Sequence, residues 1–183
     1  MAGRKKSVSV QEELLLCPSA KPGDWFPGIP VSAVAGIDEA GRGCLAGPVV
    51  AAAVILPEGA VIPGLADSKV LSPTRRDGLA AEIGAVALAW GLGVVWPPEI
   101  DRINILQATY EAMRQAVAQL PQEPDIFLND AVIIPGISEE KQIKIIKGDA
   151  KSVSIAAASI LAKVTRDHMM MEYDKIYPEY GFA

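Results

Sequence analysis

Ala35-Gly36-Ile37-Asp38-Glu39-Ala40-Gly41-Arg42-Gly43-Cys44-Leu45-Ala46-Gly47-Pro48 is an apolar run that ends on two adjacent acids and then breaks into a glycine-rich turn. The small and β-branched residues over 31–37 predict a buried strand, with Asp38 and Glu39 where that strand emerges. Two side-by-side carboxylates are a poor choice for folding alone, because like charges repel and must be kept wet or neutralised. They suit a hard divalent cation, which takes oxygen ligands and cancels the repulsion. Gly41-Arg42-Gly43 then sets one fixed cation between two residues that allow close backbone approach, as a phosphate or sugar edge requires.

A dinucleotide fingerprint is the obvious rival, and its spacing fails. Gly41, Gly43 and Gly47 read G-x-G-x-x-x-G rather than G-x-G-x-x-G. The segment that follows is Val-rich and strand-like, where the fingerprint would open a helix. A carboxylate pair directly before the loop would also repel a pyrophosphate.

Working outward, 183 residues with 50% hydrophobic content indicate one domain able to bury a sizeable core. We divide the chain into an N-terminal extension over 1–30, rich in proline and assigned no chemistry beyond one short helix around 11–16, and a catalytic domain over 31–183. The net charge of −5 argues against broad electrostatic capture of nucleic acid. Cys17 and Cys44 are too few for a disulfide framework, Cys44 reads as a small packed residue, and a reducing cytoplasm fits best. The apolar stretch Leu14-Leu15-Leu16-Cys17 is short of a signal peptide core, and the apolar run over 45–56 is too short to span a bilayer, so no membrane is expected. His168 is the only histidine, which excludes a two-histidine acid/base pair and a multi-histidine zinc site. It lies in a Met-rich helical run and reads as a surface residue. Catalysis must rest on carboxylates.

In chain order, strands are predicted over 31–37 and 49–56 as an antiparallel pair, then a long loop over 57–71 carrying Asp67-Ser68-Lys69. Ser72 as N-cap and Pro73 in the first helical position begin a helix to about 83. A third strand over 86–96 is stopped by Pro97-Pro98. Ile103, Leu106, Tyr110, Met113, Val117 and Leu120 recur at helical spacing and predict the core face of one long helix. Short strands over 125–129 and 142–147 end at Asp130 and at Gly148-Asp149. Ser154 caps a final Ala-rich helix over 155–173, with Asp167 exposed on its far half. Three times, therefore, a strand ends and an acid stands just past it. In open α/β sheets that is where ligands are held. A pocket of Asp38, Glu39, Asp130 and Asp149 implies bound metal, and oxygen-only ligands favour Mg²⁺ or Mn²⁺ over zinc. Such a site suits in-line phosphoryl transfer with two metals. Read from the residues alone, the chain is a two-metal phosphodiesterase or phosphotransferase.

Gly36-Ile37-Asp38-Glu39-Ala40-Gly41-Arg42-Gly43, followed by Gly47-Pro48, closely resembles the opening motif of ribonuclease HII, the type 2 ribonuclease H family. The resemblance extends through Asp67-Ser68-Lys69, Asp130, Gly148-Asp149 and the run Ser154 to Asp167, in the family's order. It implies a ribonuclease H-like α/β fold, a mixed central β-sheet flanked by α-helices. It implies an endoribonuclease acting on RNA/DNA hybrids and on DNA duplex with embedded ribonucleotides, with two divalent ions, Mn²⁺ or Mg²⁺, per site. Carried over position by position, Asp38, Glu39, Asp130 and Asp149 match the catalytic, metal-binding acids. Gly41, Arg42 and Gly43 match the loop that senses the 2′-hydroxyl, and Ser68 and Lys69 fall at the rim of the substrate groove. The family continues into a Gly-Tyr-Gly segment and a basic helical tail, whereas these residues stop at Tyr180-Gly181-Phe182-Ala183, so the chain reads as C-terminally shortened, and as a monomer. Two alternatives stay open: a shortened form that folds, holds metal and binds hybrid with weak turnover, and another two-metal phosphotransferase of the same superfamily.

Overall fold

A computed structural model describes residues 33–57, 60–65 and 71–182. The expected helix at 11–16 and the Asp67-Ser68-Lys69 segment lie outside the described residues. Five strands form one mixed sheet: β1 (Val34–Ala40), β2 (Val49–Ile55), β3 (Ala89–Val95), β4 (Ile126–Asp130) and β5 (Gln142–Ile145), in the order β3-β2-β1-β4-β5. The pairs β1–β2 and β2–β3 are antiparallel, while β4 is parallel to both β1 and β5. Central β2 is buried along its whole length, which explains its uninterrupted Val-Val-Ala-Ala-Ala-Val-Ile sequence in place of alternation. Its three alanines keep both faces low enough for helices to lie close.

The helices are α1 (Pro73–Val86), α2 (Pro97–Ile103), α3 (Ile105–Ala118) and α4 (Val153–Ile176). One sheet face, with Ala35, Ile37, Ala51, Ala53 and Phe127, packs on α3 through Ala108, Ala112, Met113 and Ala116. The opposite face, with Ala52 and Val54, packs on α4 and α1 through Ala157, Ala158, Leu161, Leu79 and Ile83. This is an α/β three-layer arrangement around a mixed sheet, as expected.

Ser72 caps α1 by accepting a hydrogen bond from the Arg75 amide, with Pro73 in the first turn, and the helix continues to Val86, so β3 starts three residues later than predicted. The single helix predicted across 103–120 is two helices broken at Asn104. Pro97-Pro98 opens the first of them rather than only stopping a strand. Asn104 takes φ 71° and its side chain accepts from the amides of Leu106 and Gln107, so it caps α3 where an uninterrupted helix was expected. The buried face of α3 is consequently Ala108, Thr109, Ala112, Met113 and Ala116, and Leu106 is exposed. The reason lies in β3: a Cβ on Gly91 would stand 2.2 Å from the Ala116 carbonyl oxygen, and one on Gly93 1.8 Å from that of Ala112. Backbone meets backbone there, which admits only small residues.

Helix α4 begins at Val153 with Ser152, not Ser154, as N-cap, and ends at Ile176. Asp167 is half-buried rather than exposed, gripped by Arg76 at 3.1 Å and by Lys163. His168 is on the surface, 3.1 Å from Asp77. Cys44 is exposed, so the packed role expected for it does not hold.

Candidate active site

The parallel register makes the C-terminal ends of β1, β4 and β5 one edge of the sheet. Ile37 stands opposite Asn129 and Asp130 opposite Ile145, which brings Asp38 beside Asp130 on neighbouring strands. Side chains alternate between faces, so Asp38 and Asp130 share the face that α4 covers while Glu39 leans to the other. Asp38 and Glu39 lie inside β1, which runs on to Ala40, and not beyond it as the sequence suggested. Pairing with Ala52 and Ala51 of β2 holds them in the sheet.

Asp149 arrives from β5 through a tight turn. Lys147 adopts φ 56°, a left-handed conformation that costs a non-glycine residue about 1–2 kcal/mol. Ala131, directly after Asp130, does the same at φ 55°. The turn points the Gly148 amide at Asp130, whose Oδ1 accepts its hydrogen bond at 2.7 Å. Asp149 follows in a 3₁₀ turn, buried, immediately before α4. Strain on both sides of the acids is the pattern expected where a surrounding fold dictates a functional geometry.

The electrostatics are unfavourable without a cation. Burial first, then the charges of Glu39 and Asp130, hold the Asp38 carboxyl well above the usual carboxylate range. Hydrogen bonds from the Ser159 side chain and the Glu39 amide only partly oppose this. Burial likewise raises Glu39, with Asp130 adding to the rise and the Arg42 guanidinium, 3.7 Å away, working against it. Glu39 Oε2 is buried with no hydrogen-bond partner. An orphaned buried carboxylate oxygen costs on the order of 1–3 kcal/mol or more, and a cation would relieve it. The donor set, all oxygen and all acidic, fits a hard divalent ion. Among the described residues, no three acidic, histidine or cysteine side chains are drawn together tightly enough to form a closed metal shell. Three of the carboxylates have local partners: Asp38 Oδ1 accepts from the Glu39 amide at 2.8 Å, Glu39 pairs with Arg42, and Asp130 accepts from the Gly148 amide.

Residues 41–47 form the loop after β1. Gly41 takes φ +103° and Gly47 φ +86°, conformations that favour glycine. Arg42, Gly43, Cys44, Leu45 and Ala46 face solvent. Ser68 and Lys69 lie outside the described residues. Two side chains that the sequence reading gave no role stand against the site. Ser159 bonds to Asp38 from the second turn of α4, and Arg166 is buried with two hydrogen bonds to the loop backbone. Ser159 was detectable as a hydroxyl within Ile155-Ala156-Ala157-Ala158-Ser159-Ile160. Nothing in the sequence distinguished Arg166 from a solvated helix residue.

A family model described as ribonuclease HII matches residues 35–183. The ribonuclease HII of Geobacter metallireducens is 61% identical over 152 residues, which is 82% of this chain and 70% of the relative. Among solved structures, the ribonuclease H2 of Pyrococcus horikoshii OT3 is similar with a TM-score of 0.69 and 30% identity, covering 82% of this chain and 79% of that one. Bst-RNase HIII in complex with Mn²⁺ shares the fold at a TM-score of 0.69 and 20% identity, over 96% of this chain and 60% of that one. With the family match spanning almost all of the described residues, the chain belongs to the ribonuclease HII family, hydrolases of the type 2 ribonuclease H class.

Proposed function

We propose that this chain hydrolyses the RNA strand of RNA/DNA hybrids and cuts at single ribonucleotides embedded in duplex DNA, leaving 5′-phosphate and 3′-hydroxyl ends. The observation that carries this reading is Asp38, Glu39 and Asp130 side by side toward the C-terminal ends of the neighbouring strands β1 and β4, where the charge of Asp130 acts on both other acids and the buried Glu39 Oε2 has no hydrogen-bond partner. Asp38, Glu39, Asp130 and Asp149 would hold two divalent cations, Mg²⁺ or Mn²⁺. When bound, such a pair lowers the pKa of a water and stabilises charge on the attacking and leaving oxygens.

The protein's own part is placement. Ser159 and the Glu39 amide orient Asp38, and the Gly148 amide orients Asp130, so these acids keep one direction before a metal arrives. The water oxygen would bond to phosphorus as the phosphorus–3′-oxygen bond breaks in line; the water's proton passes to solvent and the 3′-oxygen takes one from solvent, so no side-chain base is required. Gly41, Arg42 and Gly43 would lie against the minor-groove edge of the duplex. There the 2′-hydroxyl is the group that separates a ribonucleotide from its neighbours, and Gly43 has open space around it.

The test is cleavage of a DNA duplex carrying one ribonucleotide, with Mg²⁺, with Mn²⁺ and with chelator, by the parent and by Asp130→Asn. The Asn oxygen still accepts from the Gly148 amide, so the fold should persist while metal-dependent cleavage disappears. Parent-level cleavage by Asp130→Asn would show the acid to be structural. A parent that binds hybrid and metal yet does not cut this duplex would favour the weak-turnover alternative.

A further inference from the structure

Arg166 lies on the second half of α4 and is only 6% exposed. Its Nε donates to the Pro48 carbonyl at 3.0 Å and its Nη2 to the Ala46 carbonyl at 2.7 Å, across about 120 positions of sequence. A guanidinium presents its donors in a rigid planar fork, which a lysine cannot reproduce. Both ends of the loop are shaped around this side chain. A Cβ on Gly41 would stand 2.6 Å from Arg166 Nε and 2.5 Å from the Pro48 carbonyl oxygen. A Cβ on Gly47 would stand 2.3 Å from Met170 Sδ and 3.2 Å from Arg166 Nη2. The tip between these glycines is exposed and carries one internal backbone hydrogen bond, from the Cys44 amide to the Gly41 carbonyl at 3.1 Å. Besides the ion pair of Arg42 with Glu39 at 3.7 Å, what fixes its shape is the clamp beneath it. Leu45, fully exposed, adds no packing.

We propose that Arg166 is a positioning residue. By gripping the Ala46 and Pro48 carbonyls it presets the backbone of Gly41-Arg42-Gly43, and so governs discrimination at a lone ribonucleotide more than the hydrolysis itself. This rests on the reading of that loop as the ribose sensor. A duplex with a single 2′-hydroxyl offers the loop one contact that must be met in register. A continuous hybrid offers the same group at every step and tolerates a looser loop.

The experiment uses the full chain in single-turnover cleavage of two duplexes, one with a single embedded ribonucleotide and one a uniform RNA/DNA hybrid, alongside melting with and without Mn²⁺. Arg166→Lys, which keeps a buried cation but loses the fork, should lower the ratio of kcat/KM on the first substrate to that on the second. The expected drop is about tenfold, given that an ångström of misplacement costs up to ~10²-fold. The rise in melting temperature caused by Mn²⁺ should match the parent's. Gly47→Ala keeps the arginine itself but crowds the same loop through Met170 and Arg166 Nη2 at a positive-φ position, and should lower the ratio in the same direction, which covers a poorly folding Arg166 variant. If Arg42→Ala lowers the ratio while neither Arg166→Lys nor Gly47→Ala does, the positioning role is wrong and the sensor reading stands. If Arg42→Ala leaves it unchanged, the sensor reading falls and the positioning role with it. Equal loss on both substrates in Arg166→Lys would reduce Arg166 to a structural residue.

Discussion

Replacing Gly36 by alanine adds one methyl group, aimed at the first turn of α4. Its Cβ would lie 2.1 Å from the Ser154 carbonyl carbon, 2.4 Å from that carbonyl's oxygen and 2.4 Å from the Ile155 amide nitrogen. Carbon atoms in contact sit at about 3.5 Å, so strand and helix must part by ~1.4 Å at this point. All three obstacles are backbone, in a helix start held by the Ser152 cap, so no rotamer change relieves the overlap. Overpacking costs about 1–3 kcal/mol, and a clash without side-chain relief belongs at the top of that range. For a domain of this size, ~3 kcal/mol lowers the melting temperature by about 6–12 °C. Activity should fall further than stability. The turn holding Asp149 runs directly into this helix start, and Ser159 reaches Asp38 from the next turns of the same helix, so one displacement moves both. A shift near 1 Å in a reacting group costs up to ~10²-fold in rate. Urea denaturation gives the first quantity, and single-turnover cleavage at a temperature where the variant is fully folded gives the second. A Gly36→Ala protein within about 0.5 kcal/mol of the parent, or one that is folded and cleaves at the parent's rate, would refute the reasoning.

Asp38→Asn keeps the acceptor for Ser159 and for the Glu39 amide but removes a buried charge beside two others, so the metal-free protein should gain ~1–2 kcal/mol and lose its stabilisation by Mn²⁺. A loss of stability on this substitution, read by thermal melting, would show that the carboxylate is not under strain. Because burial and like charge raise Asp38 and Glu39 in the folded state, their contribution is fully present below the unfolded carboxylate range, about pH 4, and is lost as pH rises through the raised values. Metal-free stability from this pair should thus decline as pH rises above about 4, and Asp38→Asn should flatten the decline; equal pH slopes in both proteins would contradict it. At the far edge of the sheet, Gln119 bonds both the amide and the carbonyl of Leu92, and Gln115 bonds the Val94 amide, so a side chain of α3 and that of its C-cap residue occupy the free edge of β3. Removing both with Gln115→Ala/Gln119→Ala should cost ~1 kcal/mol per lost hydrogen bond and promote self-association visible by light scattering. A variant as stable and as monodisperse as the parent would dismiss the glutamines as incidental.

Most of the architecture was legible because it depends on short-range pattern. The antiparallel β1–β2 pair, the Ser72-Pro73 helix start and the long Ala-rich helix follow from hydrophobic period and capping chemistry, which act within a few residues. The acids were legible for a related reason: a charge at the end of an apolar strand conflicts with folding and stands out in a sequence. The break at Asn104 was missed because the apolar spacing runs through it unbroken; of the expected core face Met113 and Leu120 are buried and Ile103, Tyr110 and Val117 pack against the core, and only Leu106 is exposed, while the close approach of α3 to Gly91 and Gly93 adds the alanines to that face. Asp38 and Glu39 were expected beyond their strand. They are inside it because β2 supplies pairing partners to the level of Ala40, which the sequence of β1 cannot announce.

By itself, then, the sequence determined the residue types of the site and the strands that carry them, since a carboxylate after an apolar run is a local statement. Only the tertiary structure decided that β1, β4 and β5 are neighbours with their C-terminal ends together, that Ser159 turns to Asp38, and that Arg166 grips a loop about 120 residues away. Those relations depend on strand order and on a helix lying across the sheet, and contacts between distant parts of a chain leave no periodic trace along it.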